Sequence, residues 1–481
     1  MDALRQAATD RVAREDLVTF VNASFACTGQ REFYGDSKGQ AITIEFLHEY
    51  ILGNYRRLYA RTLAAGINHF NQAQVILNLL ATGASCPPAD RAEEGALIQA
   101  ALARLPPQRA LRVLAALGER RINNRRARAV ARDYLRARRD PNFDALKYRR
   151  RVRQISRHAH LTNPGEIGTF LFEGFRHPSY RTELFERFRQ AHYSASAIWE
   201  LPASIAEGLA AKHEVDRGEF LERIGPRMTA GERLRAQGAA ERGGARHAID
   251  LGRVALTRLA LYALGLSDDE RRERRAELDA ALARSAAQVL ARAPTPLGRV
   301  AAVLDASYSA SGSSEKRRRP LAVALGASYL LRAAATEYRA FWTPRQEDEL
   351  ALRPRGATDL ATPLIVALEW RPALVVVVSD GFDNDPPRGA AEILRCFVHR
   401  LDPWGRTAVV HANPVFDADD FAPRTLGPDA PTVGLRNAED LLTVLGFARF
   451  AAGRAPLGEL EEYLAAKVRA LLGGEEAQAQ R

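Results

Sequence analysis

The sequence predicts a mainly α protein with one α/β domain towards its C-terminal end, and three observations predict it. Of 481 residues 46% are apolar, mostly Ala, Leu and Val, with only 7% aromatic and 34 Gly and 24 Pro that fall in short clusters. That composition is rich enough to bury a core and leans towards helix over an all-β sandwich. Second, apolar residues recur at three- and four-residue spacing from about 43 to 295. Third, from Val300 onward strand-like and helix-like stretches alternate. At roughly 100–200 residues per domain, the length suggests two or three domains.

Within 43–295, TIEFLHEYILGNYRRLYARTLAAG, NQAQVILNLLATG and EEGALIQAALARL each carry a helical period, and Gly66, Gly83, Pro87-Pro88, Pro106-Pro107 and Asn163-Pro164-Gly165 punctuate them. Paired helices with no strand between them stack as a solenoid, with a compact bundle as the alternative. RAPTPLGR ends that regime. The strand VAAVLDAS, the helix LAVALGASYLLRAAA, the strand EYRAFWT, a helix after Thr358, the run ALVVVVSD, the helix AAEILRCFVHRL, the strand RTAVVHAN and the helix AEDLLTVLGFARF follow. Continuous apolar runs such as Val375–Val378 are the mark of parallel strands buried on both faces, in a doubly wound, Rossmann-like sheet. LGELEEYLAAKVRALL predicts a last amphipathic helix, and EEAQAQR a tail. The expected division is 1–295 helical, 297–455 α/β and 456–481 C-terminal helix and tail.

The net charge of +11 is unevenly spread: residues 297–481 carry 22 Lys and Arg against 24 Asp and Glu, leaving 47 against 34 in residues 1–296. A basic first part implies a polyanionic partner there. Cys27, Cys86 and Cys396 stand far apart with no CxxC pair, which supports neither a disulfide framework nor a thiolate metal site and implies a reducing compartment. The charged start lacks an apolar core, and no uncharged run approaches the roughly 18 residues a membrane span needs. A soluble, cytoplasmic protein with no membrane partner is the expectation.

Chemistry gathers in the α/β part. The first strand ends in Asp305-Ala306-Ser307-Tyr308-Ser309, GATDL sets Thr358 in a loop that opens a helix, and the most apolar strand ends in Ser379-Asp380-Gly381. All three fall on the carboxyl edge of the expected sheet, where Asp305, Ser307, Ser309, Thr358 and Asp380 can converge on one hard cation. Two carboxylates and three hydroxyls suit Mg²⁺ or another divalent cation such as Mn²⁺. This arrangement resembles the metal-ion-dependent adhesion site of von Willebrand factor A domains, all five positions of whose pattern are present. The resemblance implies a cation with one open position for an acidic group of a partner, a recruiting site and not a catalytic one.

Residues 120–161 hold fifteen Lys and Arg and three acids. So one-sided an excess repels itself unless something anionic offsets it, and nucleic acid is the favoured partner over acidic protein or lipid headgroups. Within it, ALKYRRRVRQISRHAHLTNP resembles a segment of the Ro autoantigen (TROVE) family, and FYGDSKGQ with the helices after it is similar to that family's opening. The resemblance implies a HEAT-like α-helical repeat ring, monomeric, followed by a von Willebrand factor A domain. It implies an RNA-binding protein of RNA quality control or processing: single-stranded 3′ ends of misfolded non-coding RNA enter the ring, and small Y-type RNA binds its basic outer surface. Matching positions are Lys147, Arg151 and His160, with Arg149 and Arg150 beside them and Arg125 and Arg128 in the same basic element. An exoribonuclease or another acidic-loop protein is the implied partner at the cation site.

No GxxxxGK[ST], GxSxG or HExxH occurs, so an enzyme is not expected. Two alternatives stay open: an adaptor that uses the A domain to recruit an acidic partner, and a metal-dependent hydrolase. The second would want DxDxT after the first strand, where position 307 is Ser.

Overall fold

The computed structural model describes residues 2–229, 231–234, 236, 251, 254–292, 296–453 and 455–479. The chain folds into two compact units, one of residues 1–71 with 251–481 and one of residues 72–250. This division does not follow the expected boundary at 295. Residues 293–295, within the RAPTPLGR stretch, lie outside the described residues, as do Gln480 and Arg481 of the expected tail. The last helix, Leu457–Ala479, runs on through most of that tail.

The first unit is built on a five-stranded, wholly parallel sheet: β1 Leu297–Asp305, β2 Ala335–Thr343, β3 Leu374–Val378, β4 Ala408–Asn413 and β5 Thr432–Gly434, in the order β2-β1-β3-β4-β5. Val303 stands beside Phe341 on one side and Val377 on the other, and Val376 beside Val410. The four valines Val375–Val378 are all buried, as an inner strand covered on both faces requires. Ala301, Val303, Val375 and Val377 meet Leu364 and Leu394 of helices Ala361–Glu369 and Gly389–Cys396, and Leu360 just before the first of these. The alternate residues face the other way, towards helix Arg319–Ala334, which has thirteen of its sixteen residues buried.

That helix is apolar all round because it is covered all round. Helices Leu256–Gly265 and Arg275–Arg292 lie against it, and Tyr329 donates its hydroxyl to Asp279 at 2.6 Å. Thr257 donates its backbone N–H to Glu439 at 3.0 Å. The 256–292 helices, expected with the helical part, therefore belong to the α/β unit.

The N-terminal helices belong there too. Helix Asp2–Ala26 closes the far edge of the sheet: Asn22 Nδ2 donates to the Thr432 carbonyl at 2.8 Å and Asn22 Oδ1 accepts from the Gly434 N–H at 2.5 Å. A bare strand edge offers unpaired backbone groups to any other strand, and one asparagine side chain satisfies two of them here. A Cβ at Gly434 would sit 2.5 Å from the Asn22 carbonyl oxygen, so the close approach needs glycine.

The second unit is an array of short helices. Pro107–Glu119 lies against Arg149–His158, and Arg91–Arg104 against Arg125–Arg136. Asn124 caps the last of these by accepting from the Ala127 N–H at 2.9 Å. No helix of the described residues is long and apolar enough to cross a membrane.

Candidate functional site

The strand order reverses between β1 and β3, and in an open parallel sheet the crevice at such a point is where ligands lodge. Asp305 ends β1 and Asp380 follows β3, so both carboxylates come to that crevice; they are 4% and 5% exposed. Beyond β1 the chain turns tightly through Tyr308–Ser311. The Ser307 N–H donates to Asp305 Oδ1 at 2.8 Å, and the Ser307 and Ser309 hydroxyls stand 3.3 Å apart. Ser309 also hydrogen-bonds Asp380, whose Oδ1 accepts from the Phe382 N–H at 3.0 Å.

Thr358 is buried in the loop before helix Ala361–Glu369. Asn384 holds it against the turn after β3: Asn384 Oδ1 accepts from the Thr358 N–H at 3.1 Å, and the Asn384 N–H donates back to the Thr358 carbonyl at 3.2 Å. The three loops thus place five buried oxygen-bearing side chains at one edge of the sheet.

Burial, and after it the neighbouring Asp380, push the Asp305 carboxyl up to about 7; burial raises Asp380 as well. Among the described residues neither carboxylate has a Lys, Arg or His ion-pair partner. Two buried like charges without a counterion are unstable, and a divalent cation is the species that offsets both at once. Oxygen donors alone suit a hard ion such as Mg²⁺ or Mn²⁺. No group of three or more His, Cys, Asp or Glu that could hold a metal occurs among the described residues, and a cation held between Asp305 and Asp380 would need hydroxyl ligands as well.

The basic element divides by surroundings. Lys147 lies 3.7 Å from Glu232 and over the Phe143 ring. Arg149 is half-buried: its Nε donates to the Phe170 carbonyl at 3.0 Å, its guanidinium covers the Phe170 ring, and burial lowers its pKa. Arg151 donates to the Gln108 carbonyl at 3.3 Å.

His160 is exposed at φ +52° just past helix Arg149–His158. Leu161 N–H donates to the Ser156 carbonyl at 2.9 Å and His160 N–H to that of Arg157 at 3.4 Å, the pairing that ends a helix on a left-handed residue. Arg125 and Arg128 are exposed on a different helix.

Arg150 has other company. With Arg153 and Arg157, one helical turn apart on the same face, it lines a cleft of about 490 Å³ together with Gly118, Glu119, Gln154 and His158. None of the three arginines has an ion-pair partner among the described residues, and the cleft's one carboxylate, Glu119, accepts from Gln154 at 3.3 Å. Of the seven basic positions expected from sequence only Arg150 lines this cleft. Arg153 and Arg157 were in the same run and follow from its helical period, which was the signal available.

No family model matches the chain, and it has no match among curated proteins. Among solved structures, the chain is similar to the crystal structure of the Deinococcus radiodurans Ro (RSR) protein, with 17% sequence identity and a TM-score of 0.40 over 80% of this chain and 91% of that one.

Proposed function

We propose that this is a Ro-like RNA-binding protein that takes single-stranded RNA on the arginine face of helix Arg149–His158 and uses the cation site to recruit an acidic protein. The single observation that carries the RNA half is the cleft lined by Arg150, Arg153 and Arg157 with one carboxylate. Guanidinium groups fork onto phosphate oxygens without reading bases, which suits a binder of 3′ ends of misfolded non-coding RNA and of Y-type RNA. The excess of basic residues in 1–296 favours the same class of partner.

A second reading, a metal-dependent adaptor with no RNA ligand, is favoured by the buried Asp305 and Asp380 pair. Labelled single-stranded RNA titrated by fluorescence anisotropy at several salt concentrations separates the two. On the RNA reading, log K falls with log salt by about 0.7 per phosphate neutralised, and Arg150→Glu with Arg153→Glu and Arg157→Glu removes about two from that slope and at least tenfold in affinity. A folded triple variant with an unchanged slope leaves the adaptor.

A further inference from the structure

The mouth of the cation site is not made by the α/β segment alone. Residues 28–36 and the first turns of helix Ser37–Arg61 form a strap at the carboxyl edge of the sheet, pinned along its length. Ser313 Oγ donates to the Arg31 carbonyl at 2.7 Å, and Glu32 and Lys316 form an ion pair with both side chains under a tenth exposed. Further on, Gln40 Nε2 donates to the Phe416 carbonyl at 2.8 Å and Thr43 Oγ1 to that of Ala418 at 3.0 Å.

The strap carries Tyr34 to the site. Its ring lies 4.2 Å from that of Phe382, its hydroxyl hydrogen-bonds Ser309, and the side chain is 56% exposed. Across from it, Arg424 comes from the loop after β4. Its guanidinium covers the Phe382 ring at 4.1 Å, Nη2 donates to Asp417 at 2.6 Å, and Nε has no hydrogen-bond partner among the described residues. Two features hold Arg424 there. Asn413 Nδ2 donates to the carbonyls of both Asp380 and Arg424 at 3.0 Å, and Gly381 has φ +81° with no room for a Cβ, which would lie 2.8 Å from the Arg424 carbonyl oxygen. Tyr34, Asp380, Phe382, Asp417 and Arg424 together line a cavity of about 200 Å³.

We propose that Tyr34 and Arg424 are the recognition residues of this site, donating hydrogen bonds to the free oxygen of a partner carboxylate whose other oxygen ligates the cation. This rests on the cation-site reading of Asp305 and Asp380. The remaining acids of the cavity wall are mostly committed elsewhere: Asp36 accepts from the Gly39 N–H at 2.7 Å and Glu32 holds Lys316. Asp417 then acts as an internal stand-in for the partner, occupying Arg424 until a carboxylate arrives and displaces it.

The test uses the full chain loaded with Mn²⁺ and carbon-13 acetate as probe, read by paramagnetic broadening of the acetate carboxyl signal, with Mn²⁺ affinity measured beside it. Arg424→Gln is expected to keep Mn²⁺ affinity within about threefold and to weaken acetate binding about tenfold, as loss of a charge-assisted hydrogen bond does. Arg424→Lys restores part of it, and Tyr34→Phe, which keeps the exposed ring, weakens acetate binding less than Arg424→Gln. Asp417→Asn strengthens acetate binding, a gain that a structural role for Arg424 would not produce. Acetate binding unchanged in both Arg424→Gln and Tyr34→Phe, with Mn²⁺ still bound, overturns the proposal alone. Failure of the unaltered chain to bind Mn²⁺ overturns the cation-site reading and the proposal together.

Discussion

Asp305 shows how much one residue decides. Its carboxylate is one of two charges in the proposed donor set, and with Asp305→Ala that set would be left with one carboxylate and neutral hydroxyls, poor exchange for the waters Mg²⁺ gives up reluctantly. Calorimetry is expected to show Mg²⁺ binding lost in that variant, while RNA affinity at fixed ionic strength stays within a few-fold; loss of both would couple the two sites. Gly434 is decisive for a steric reason. Gly434→Ala drives a Cβ into the Asn22 backbone, and such overpacking costs about 1–3 kcal/mol, read as a lowered denaturant midpoint. His192 supplies a pH response. Burial, then the charges of Lys212, Arg149 and His213, lower its pKa from 6.5 to about 4 while its ring stacks on Phe175. The folded chain holds the neutral form, so stability from this group is present above pH 6.5 and is lost as pH falls towards 4. Denaturant midpoints across that interval are expected to decline less for His192→Gln than for the unaltered chain.

At the scale of elements, strand ends and helix faces were legible and strand edges were not. The run Val375–Val378 announced a buried parallel strand because covering both faces leaves no polar position, and the loop after it had to lie at the carboxyl edge. β5 is three residues long, too short to show a period, and only its pairing with β4 makes it a strand. Helix Arg149–His158 illustrates the opposite limit. Its arginine content was plain, but which arginines face solvent follows from which positions pack: Val152 and Ile155 are buried, Arg149 lies over Phe170, and Arg150, Arg153 and Arg157 remain for a ligand. A charge-reversing change at Arg149 is therefore expected to unsettle the helix array, whereas one at Arg157 is expected to weaken RNA binding in a chain whose circular dichroism is unchanged.

For the whole molecule, the cation and the RNA are expected to act separately. If the proposed site binds it, Mg²⁺ at a hundredfold excess over its dissociation constant is expected to stabilise its unit by about 2.7 kcal/mol, read as a raised unfolding temperature that Asp305→Ala abolishes. EDTA is expected to leave RNA affinity at matched ionic strength unchanged, and a large loss would join the two roles. The sequence by itself determined the class of each part, because helical period, buried β runs and the DxSxS, Thr and Asp spacings are local properties that a linear reading captures. The five residues proposed for the cation could be gathered on paper for a related reason: Asp305, Ser307, Ser309 and Asp380 follow strand ends and Thr358 precedes a helix, and the order of a doubly wound sheet brings such loops to one edge. Only the tertiary structure decided which segments share a core. Helix Asp2–Ala26 joins the sheet through Asn22, more than four hundred residues from the strand it closes, and the strap brings Tyr34 to Ser309. No local pattern encodes such partners, since an amphipathic helix specifies that it must be covered and leaves what covers it to the packing of the whole chain.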